Sequence, residues 1–342
     1  MNHDPLQSVG DTARLFAETP FQPPQRVAPN ALGETTLRIT IQNQTPRRDV
    51  RGEVIDCHDG CVERFGDRFY LYGTRYGNTD GFTFANRYVI YSSPDLHAWT
   101  PHGEMLTDAP AGVFYRPYVK YNAKLRKYVS WFNWYPTLWN GQFGVATADS
   151  PQGPFTMVEP NAQVALPKPG DHGLFVDDDG AAYIVYTSIE LGHAIAVERL
   201  SPDWLAGSGQ TSDFLDRGCE APTMFKRHGT YYVLLGNTCC FCPQGADVRV
   251  FTAASPLGPY TLRGEINRDA TGGLIIPAQQ THVATIPTVN GPELLWMGDC
   301  WGSRPDGIKG HDLQYWSSPL RFEEDGTINQ LTFTKEFELV LP

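Results

Sequence analysis

The sequence predicts an all-β chain folded as a five-bladed β-propeller, and three observations predict it. From about residue 35 onward the chain is a succession of short alternating or apolar runs bounded by Gly, Pro, Asp and Asn, the pattern of strands joined by turns. No stretch carries a sustained 3.6-residue apolar period between capping signals, so helix should be scarce. An aromatic or apolar strand recurs five times, around Tyr70, Tyr128, Tyr183, Tyr232 and Leu295, at steps of 58, 55, 49 and 63 residues. A unit of this size, with about four strands, cannot cover both faces of its own sheet; set radially around an axis, such units cover one another.

Taken in order, residues 1–34 are polar and rich in Pro and Gln and read as a leading arm; residues 35–342 hold the repeats and read as the propeller domain. Each repeat opens with a short apolar strand: GCVERF from Gly60, PYVKYN from Pro117, GLFVDD from Gly173, APTMFK from Ala221 and THVATI from Thr281. Turns such as Phe65-Gly66-Asp67, Asp178-Asp179-Gly180 and His228-Gly229 lead from it into the aromatic strand. Three repeats then run through a further strand into a Ser-Pro turn, at residues 91–99, 146–155 and 252–260. The run DDDG at 177–180 has the look of a calcium loop but lacks its other ligand positions, and is read as a hairpin turn.

Composition narrows the function. With 27 Lys+Arg against 38 Asp+Glu the chain carries a formal charge of −11, which argues against nucleic acid and anionic membrane as partners. Hydrophobic residues at 41% supply enough apolar surface to offset the entropy of ordering. No run of eighteen apolar residues occurs, and Asp4, Asp11, Arg14 and Glu18 interrupt any signal core in the first thirty residues. The seven cysteines stand at 57, 61, 219, 239, 240, 242 and 300; an odd count with no leader predicts free thiols in a reducing compartment, the cytoplasm. Their spacing matches no common zinc pattern, so no metal ligands are assigned. Oligomeric state is not legible.

In a propeller the first strand of each blade lines the central channel, so residues where those strands begin converge. About twelve residues upstream of each aromatic strand stand Asp59, the pair Tyr115-Arg116, Asp171, Glu220 and Gln279. Three carboxylates at corresponding places in blades 1, 3 and 4 would repel and raise one another's pKa, which folding alone does not favour. Glycoside hydrolysis uses such a set: a protonated carboxyl donates to the leaving oxygen while a carboxylate activates water on the opposite face of the sugar. A third acid can hold the first one's pKa up. Aromatic residues nearby (Tyr115, Trp131, Trp134, Trp139 and Trp301) have the shape to stack on a sugar ring, and Arg116, Asn133, Asn237 and Asp299 the polarity to bind hydroxyls.

These segments resemble glycoside hydrolase family 43. Asp59-Gly60-Cys61-Val62 followed by GDRFYLYGT is similar to that family's opening with its general base. The run from Asp171 through Gly180 resembles the blade-3 segment whose leading aspartate modulates the acid, and that from Glu220 through Tyr232 the blade-4 segment with the general acid. The resemblance spans roughly residues 45–335. Within the family it is nearest to the exo-β-1,3-galactanase and β-galactosidase branch, through Asp49…Gly52…Ile55…His58, through Arg116-Pro117 with Tyr121-Asn122, and through Gln279-x-Thr281-x-Val283 with Gly298-Asp299-x-Trp301. Two positions depart from that branch. It has glycine where this chain has Asp59 and is thought to use the glutamine as base, and it has a galactose-binding glutamate where this chain has Tyr115.

The resemblance implies an exo-acting, inverting glycosidase that takes a terminal galactose-type residue from plant-type β-galactan, arabinogalactan or a related oligosaccharide. Glu220 would be the general acid, Asp59 the general base and Asp171 the modulator. His58, Tyr115, Arg116, Asn133, Trp134, Asn237, Gln279, Asp299 and Trp301 would bind the sugar. No cofactor is implied as a requirement; a structural calcium ion in the channel is the one metal the family suggests. The alternatives are an α-L-arabinofuranosidase or β-xylosidase of the same family, and a carbohydrate-binding propeller that no longer cleaves.

Overall fold

A computed structural model describes residues 25–26 and 36–342. Most of the arm expected over 1–34 thus lies outside the described residues. Four sheets of four strands follow one another along the chain. Blade 1 comprises His58–Phe65, Arg68–Arg75, Arg87–Ser93 and Thr100–Glu104; blade 2 comprises Val113–Asn122, Lys127–Tyr135, Gln142–Ala148 and Thr156–Glu159. Blade 3 comprises Pro169–Val176, Ala182–Ser188, Ala194–Leu200 and Gly207–Thr211; blade 4 comprises Cys219–Arg227, Thr230–Asn237, Arg249–Ala253 and Thr261–Glu265. Blade 5 has three strands: Gln279–Thr288, Gly291–Cys300 and Leu313–Trp316. Helix among the described residues is confined to two short 3₁₀ turns, Pro243–Ala246 and Lys309–His311.

Every blade is an antiparallel meander in which a short turn joins the first strand to the second, while longer loops follow the second strands of blades 1, 4 and 5. Gly66, at φ +63°, supplies the left-handed turn that Phe65-Gly66-Asp67 demands. The first strands of blades 1 to 5 touch one another in sequence, and blade 5's touches blade 1's, so the inner strands form a closed ring. Between blades the sheet faces meet in aromatic layers. Tyr72, Tyr88, Phe114, Trp131, Phe143 and Tyr186, all buried, make one continuous cluster from blade 1 to blade 3. Burying such rings is the principal stabilising term in a fold with almost no helix.

The expectation of five equal units fails at the seam. Blade 5 stops at three strands, and the two chain-terminal strands form a sheet of their own. Leu37–Gln42 pairs antiparallel with Glu336–Leu341, and Gln25–Arg26 adds to its other edge. Ile39, Ile41, Leu339 and Leu341 of this sheet pack in one cluster with Val62, Phe69 and Leu71 of blade 1 and Ile286, Leu295 and Met297 of blade 5. Asn43 latches it to the ring: its Nδ2 donates to the carbonyls of Trp316 (2.8 Å) and Thr334 (3.0 Å), and Trp316 N–H donates to its Oδ1 (3.0 Å). These backbone groups are buried and have no water to turn to. Asn43→Ala should therefore lower unfolding stability by about 2–3 kcal/mol, read as a shift in denaturation midpoint. An unchanged midpoint would show that the ring closes without the latch.

Candidate active site

At one end of the ring every inner strand slips register against its neighbour. The slips fall between His58 and Cys61, Tyr115 and Tyr118, Pro169 and His172, Glu220 and Thr223, and Gln280 and His282. A bulge places an unpaired residue in the strand and re-aims the side chains around it. Asp59, Arg116 and Ala221 sit in the left-handed region at φ 59°, 51° and 54°, a conformation that disfavours a residue with a Cβ by roughly 1–2 kcal/mol. Gly60 lets the strand approach its partner here: a Cβ on it would stand 1.6 Å from the Tyr72 carbonyl oxygen. The five repeats thus share one local distortion, and it turns their opening residues into the channel mouth.

The result is an open pocket whose wall includes Asp59, Tyr115, Arg116, Asp171, Glu220 and Gln279. Arg116, fully buried, is its centre. The guanidinium Nε lies 3.0 Å from Asp171 Oδ1, Nη2 lies 3.7 Å from Asp59 Oδ1, and both Nη atoms donate to the Gln280 carbonyl at 3.3 and 3.4 Å. From blade 2 it therefore reaches blades 1, 3 and 5. Asp171 Oδ2 in turn accepts from the N–H of Ala221, the residue beside Glu220 (3.0 Å). Asp59 also accepts from the Tyr76 hydroxyl and, through its own N–H, is tied to Asp299 Oδ2 at 2.7 Å. Glu220 Oε1 accepts from the Cys239 N–H (3.1 Å) and from Gln279 Nε2 (2.8 Å).

The protonation states follow from this packing. Burial pushes Glu220 up, Asp171 adds repulsion, and together they outweigh its N–H donors and Arg116, to about 8. Burial likewise raises Asp59, against the pull of Arg116 and with a further push from Asp299, to about 6. Near neutral pH the pocket then holds one protonated carboxyl and one carboxylate, the pair that acid–base chemistry on a single bond requires.

Several residues read from the sequence as sugar ligands stand behind the pocket wall instead. Asp299 and His58 lie beneath Asp59: His58 Nδ1 is 2.9 Å from Asp299 Oδ1, and although burial opposes it, Asp299 and the neighbouring acids raise the imidazole to about 9. Their work is to hold the Asp59 backbone. Asn133, wholly buried, donates to the carbonyls of Gln142 and Pro169, joining blade 2 to blade 3. Trp134 is stacked on Phe114 with its indole N–H on the Pro160 carbonyl. Asn237 is engaged by Asp247 and Arg249. Trp301 sits behind Gln279, donating to its Oε1 at 2.9 Å. Trp131 is core, while Trp139, exposed, lines the mouth.

Residues the sequence reading passed over complete the wall. Tyr76, Phe82 and Phe241 line the pocket, and their rings pack on one another, with Phe241 5.0 Å or closer to both Phe82 and Trp301. They come from loops after the second strands of blades 1 and 4, where no strand pattern marks them; the aromatic residue directly after RFYLYGTR was the one available signal for Tyr76. Phe241 lies in the segment Cys239–Cys242, closed by a disulfide between its end residues, which corrects the expectation that all thiols are free. Cys240 is free and lines the pocket.

The residues present do not fit a channel calcium. No group of three or more His, Cys, Asp or Glu side chains is arranged for a metal among the described residues. The Gln280 carbonyl and Asp171 Oδ1 are engaged by the Arg116 cation, and the Thr281 carbonyl accepts from the Tyr118 hydroxyl.

Known proteins resemble the chain in sequence and in fold. The chain is 28% identical over 293 residues to an arabinoxylan arabinofuranohydrolase of Bacillus subtilis, a match covering 68% of this chain and 53% of that protein. It is 29% identical over 213 residues to a β-D-galactofuranosidase of Aspergillus niger, covering 58% and 61%. The chain thus spans between about half and three fifths of the length of these curated relatives. Its fold superimposes on a β-1,3-galactosidase solved with galactodeoxynojirimycin, at TM-score 0.75 and 23% identity, covering 86% of this chain and 99% of the other. An exo-β-1,3-galactanase from Clostridium thermocellum aligns at TM-score 0.75 and 26% identity, covering 87% and 66%. A family model described as Glycosyl hydrolases family 43 matches residues 54–285, the span that carries all three converging acids, and the chain belongs to that family.

Proposed function

We propose that this chain is an exo-acting, inverting glycosidase that releases a terminal galactose-type residue from a β-galactan, an arabinogalactan or a related oligosaccharide. The observation that carries the reading is the convergence of two buried acids on one pocket, with Glu220 raised to about 8 and Asp59, beside the Arg116 guanidinium, to about 6. Glu220 gives its proton to the glycosidic oxygen as the bond from that oxygen to the anomeric carbon breaks. Water adds to the same carbon from the opposite face and passes its proton to Asp59, so configuration inverts. Asp171, joined to Arg116, repels charge on Glu220 and keeps the acid loaded. The pocket is walled by loops of blades 1, 2, 3 and 4, a setting suited to a chain end. The galactose preference rests on likeness to the galactanase and galactosidase structures. The binding partner is accordingly a saccharide.

A second reading has one specific observation behind it. Tyr115 presents a ring to the pocket with its hydroxyl turned to the Gly81 carbonyl (3.2 Å), where the galactanase branch resembled by the sequence carries a glutamate. Together with the arabinofuranohydrolase relative, this favours an α-L-arabinofuranosidase.

Two outcomes are expected. Glu220→Gln should lower turnover of natural linkages by about 10²–10⁴, the contribution of a general acid, with an unshifted melting temperature; retained turnover sinks the assignment. For the unaltered chain, kcat/KM should rise with pH through about 6 as Asp59 ionises and fall through about 8 as Glu220 loses its proton. Measured on nitrophenyl β-D-galactopyranoside and α-L-arabinofuranoside, the same profiles decide between the two sugars.

A further inference from the structure

Gln279 has two polar atoms, and which faces which is fixed by chemistry. The Trp301 indole nitrogen only donates, so the atom it meets at 2.9 Å is the amide oxygen. The Gln279 NH₂ is thereby turned to Glu220 Oε1, at 2.8 Å. The backbone N–H of Cys239 reaches the same oxygen from the other side, at 3.1 Å. Oε1 thus receives two donors, while Oε2 accepts no hydrogen bond among the described residues. A carboxyl proton on Oε1 would point at an N–H; on Oε2 it meets no such conflict. Gln279 and Trp301 are both held in place, the former 4% exposed and the latter packed at 4.8 Å on Phe241 and 5.2 Å on His58.

We propose that Trp301, Gln279 and the Cys239 amide form a positioning relay that fixes the acidic proton of Glu220 on Oε2, the oxygen left for the leaving group. Gln279 is then a positioning residue for the acid, and neither a sugar ligand nor the base. An amide serving as base must turn its carbonyl to water, and here the carbonyl is turned to Trp301. The water-activating place remains with Asp59 on the other side of Arg116. The inference rests on the glycosidase reading above, and the relay changes proton delivery without changing what is bound.

The test separates leaving groups that need a proton from one that does not. The full chain, Trp301→Phe and Gln279→Leu are assayed on 2,4-dinitrophenyl β-D-galactopyranoside and on β-1,3-galactobiose, with the corresponding α-L-arabinofuranosides in parallel; Glu220→Gln is the reference and circular dichroism checks folding. Dinitrophenolate leaves without protonation, whereas a sugar alcohol depends on it. Each variant should lose at least about tenfold more kcat on the sugar leaving group than on dinitrophenolate, a share of the ~10²–10⁴ that a general acid supplies. The direction should match Glu220→Gln, with KM changing little. Equal losses on both substrates would overturn the relay, because a base or a general structural support serves both reactions alike. Unchanged kinetics on both would overturn it too. If the unaltered chain cleaves none of the four glycosides, the glycosidase reading falls and the relay with it.

Discussion

The site depends on one buried cation serving more acids than it can neutralise. Arg116 carries a single positive charge, and Asp59 and Asp171 both lie against it, with Glu220 on the far side of Asp171. Were all three acids ionised, the pocket would hold an uncompensated double negative charge in a region shielded from water. Desolvation makes that state costly, so the acid set retains protons up to near neutrality. Glu220 is the one to hold a proton because burial and the neighbouring Asp171 together outweigh the pull of Arg116. The division of labour between acid and base is thus an outcome of counting charges in a confined space, before any substrate enters.

That arrangement requires the backbone to place side chains from four separate blades with little freedom. Repeated bulges do this. Each is a local departure from sheet geometry that a two-stranded hairpin would relax away, and each persists because the ring of inner strands over-determines it. Further groups supply the remaining constraint: behind the wall Asp299 holds the Asp59 amide and His58 holds Asp299, and within the wall Tyr76 holds the Asp59 carboxylate. What the pocket exposes is the surface of a much deeper hydrogen-bonded plug.

Much of this was legible in the sequence, and the division has a physical cause. Repeat spacing, turn chemistry and aromatic strands announced the five blades, since each blade obeys the same local rules. Asp59, Arg116, Asp171 and Glu220 were found by their common offset of eleven or twelve residues from the central tyrosines of those strands, because rotational repetition carries equal offsets to one place; Gln279 stands sixteen residues before Leu295 in the fifth repeat. Direction was not legible. Asn133, Trp134, Asn237 and Asp299 have the right polarity near the right strands, yet face away from the cavity, and nothing in a one-dimensional pattern records which side of a bulge a side chain takes. Loop residues such as Phe241 and Phe82 obey no period, so they escaped notice. The three-stranded fifth blade was likewise hidden, because it reflects a partnership between segments almost three hundred positions apart.

That partnership bears on how the molecule comes into being. The sheet joining the first and last blades needs Glu336–Leu341, so a chain emerging from a ribosome can complete its early blades but leaves the circle open until that strand has been made. Pairing over such a separation is slow to find and leaves sheet faces exposed meanwhile. Because Gln279 and Asp299 belong to the last blade, the pocket cannot be finished before the ring shuts. In such a design the pocket is completed in one step, when the ring shuts, rather than growing blade by blade.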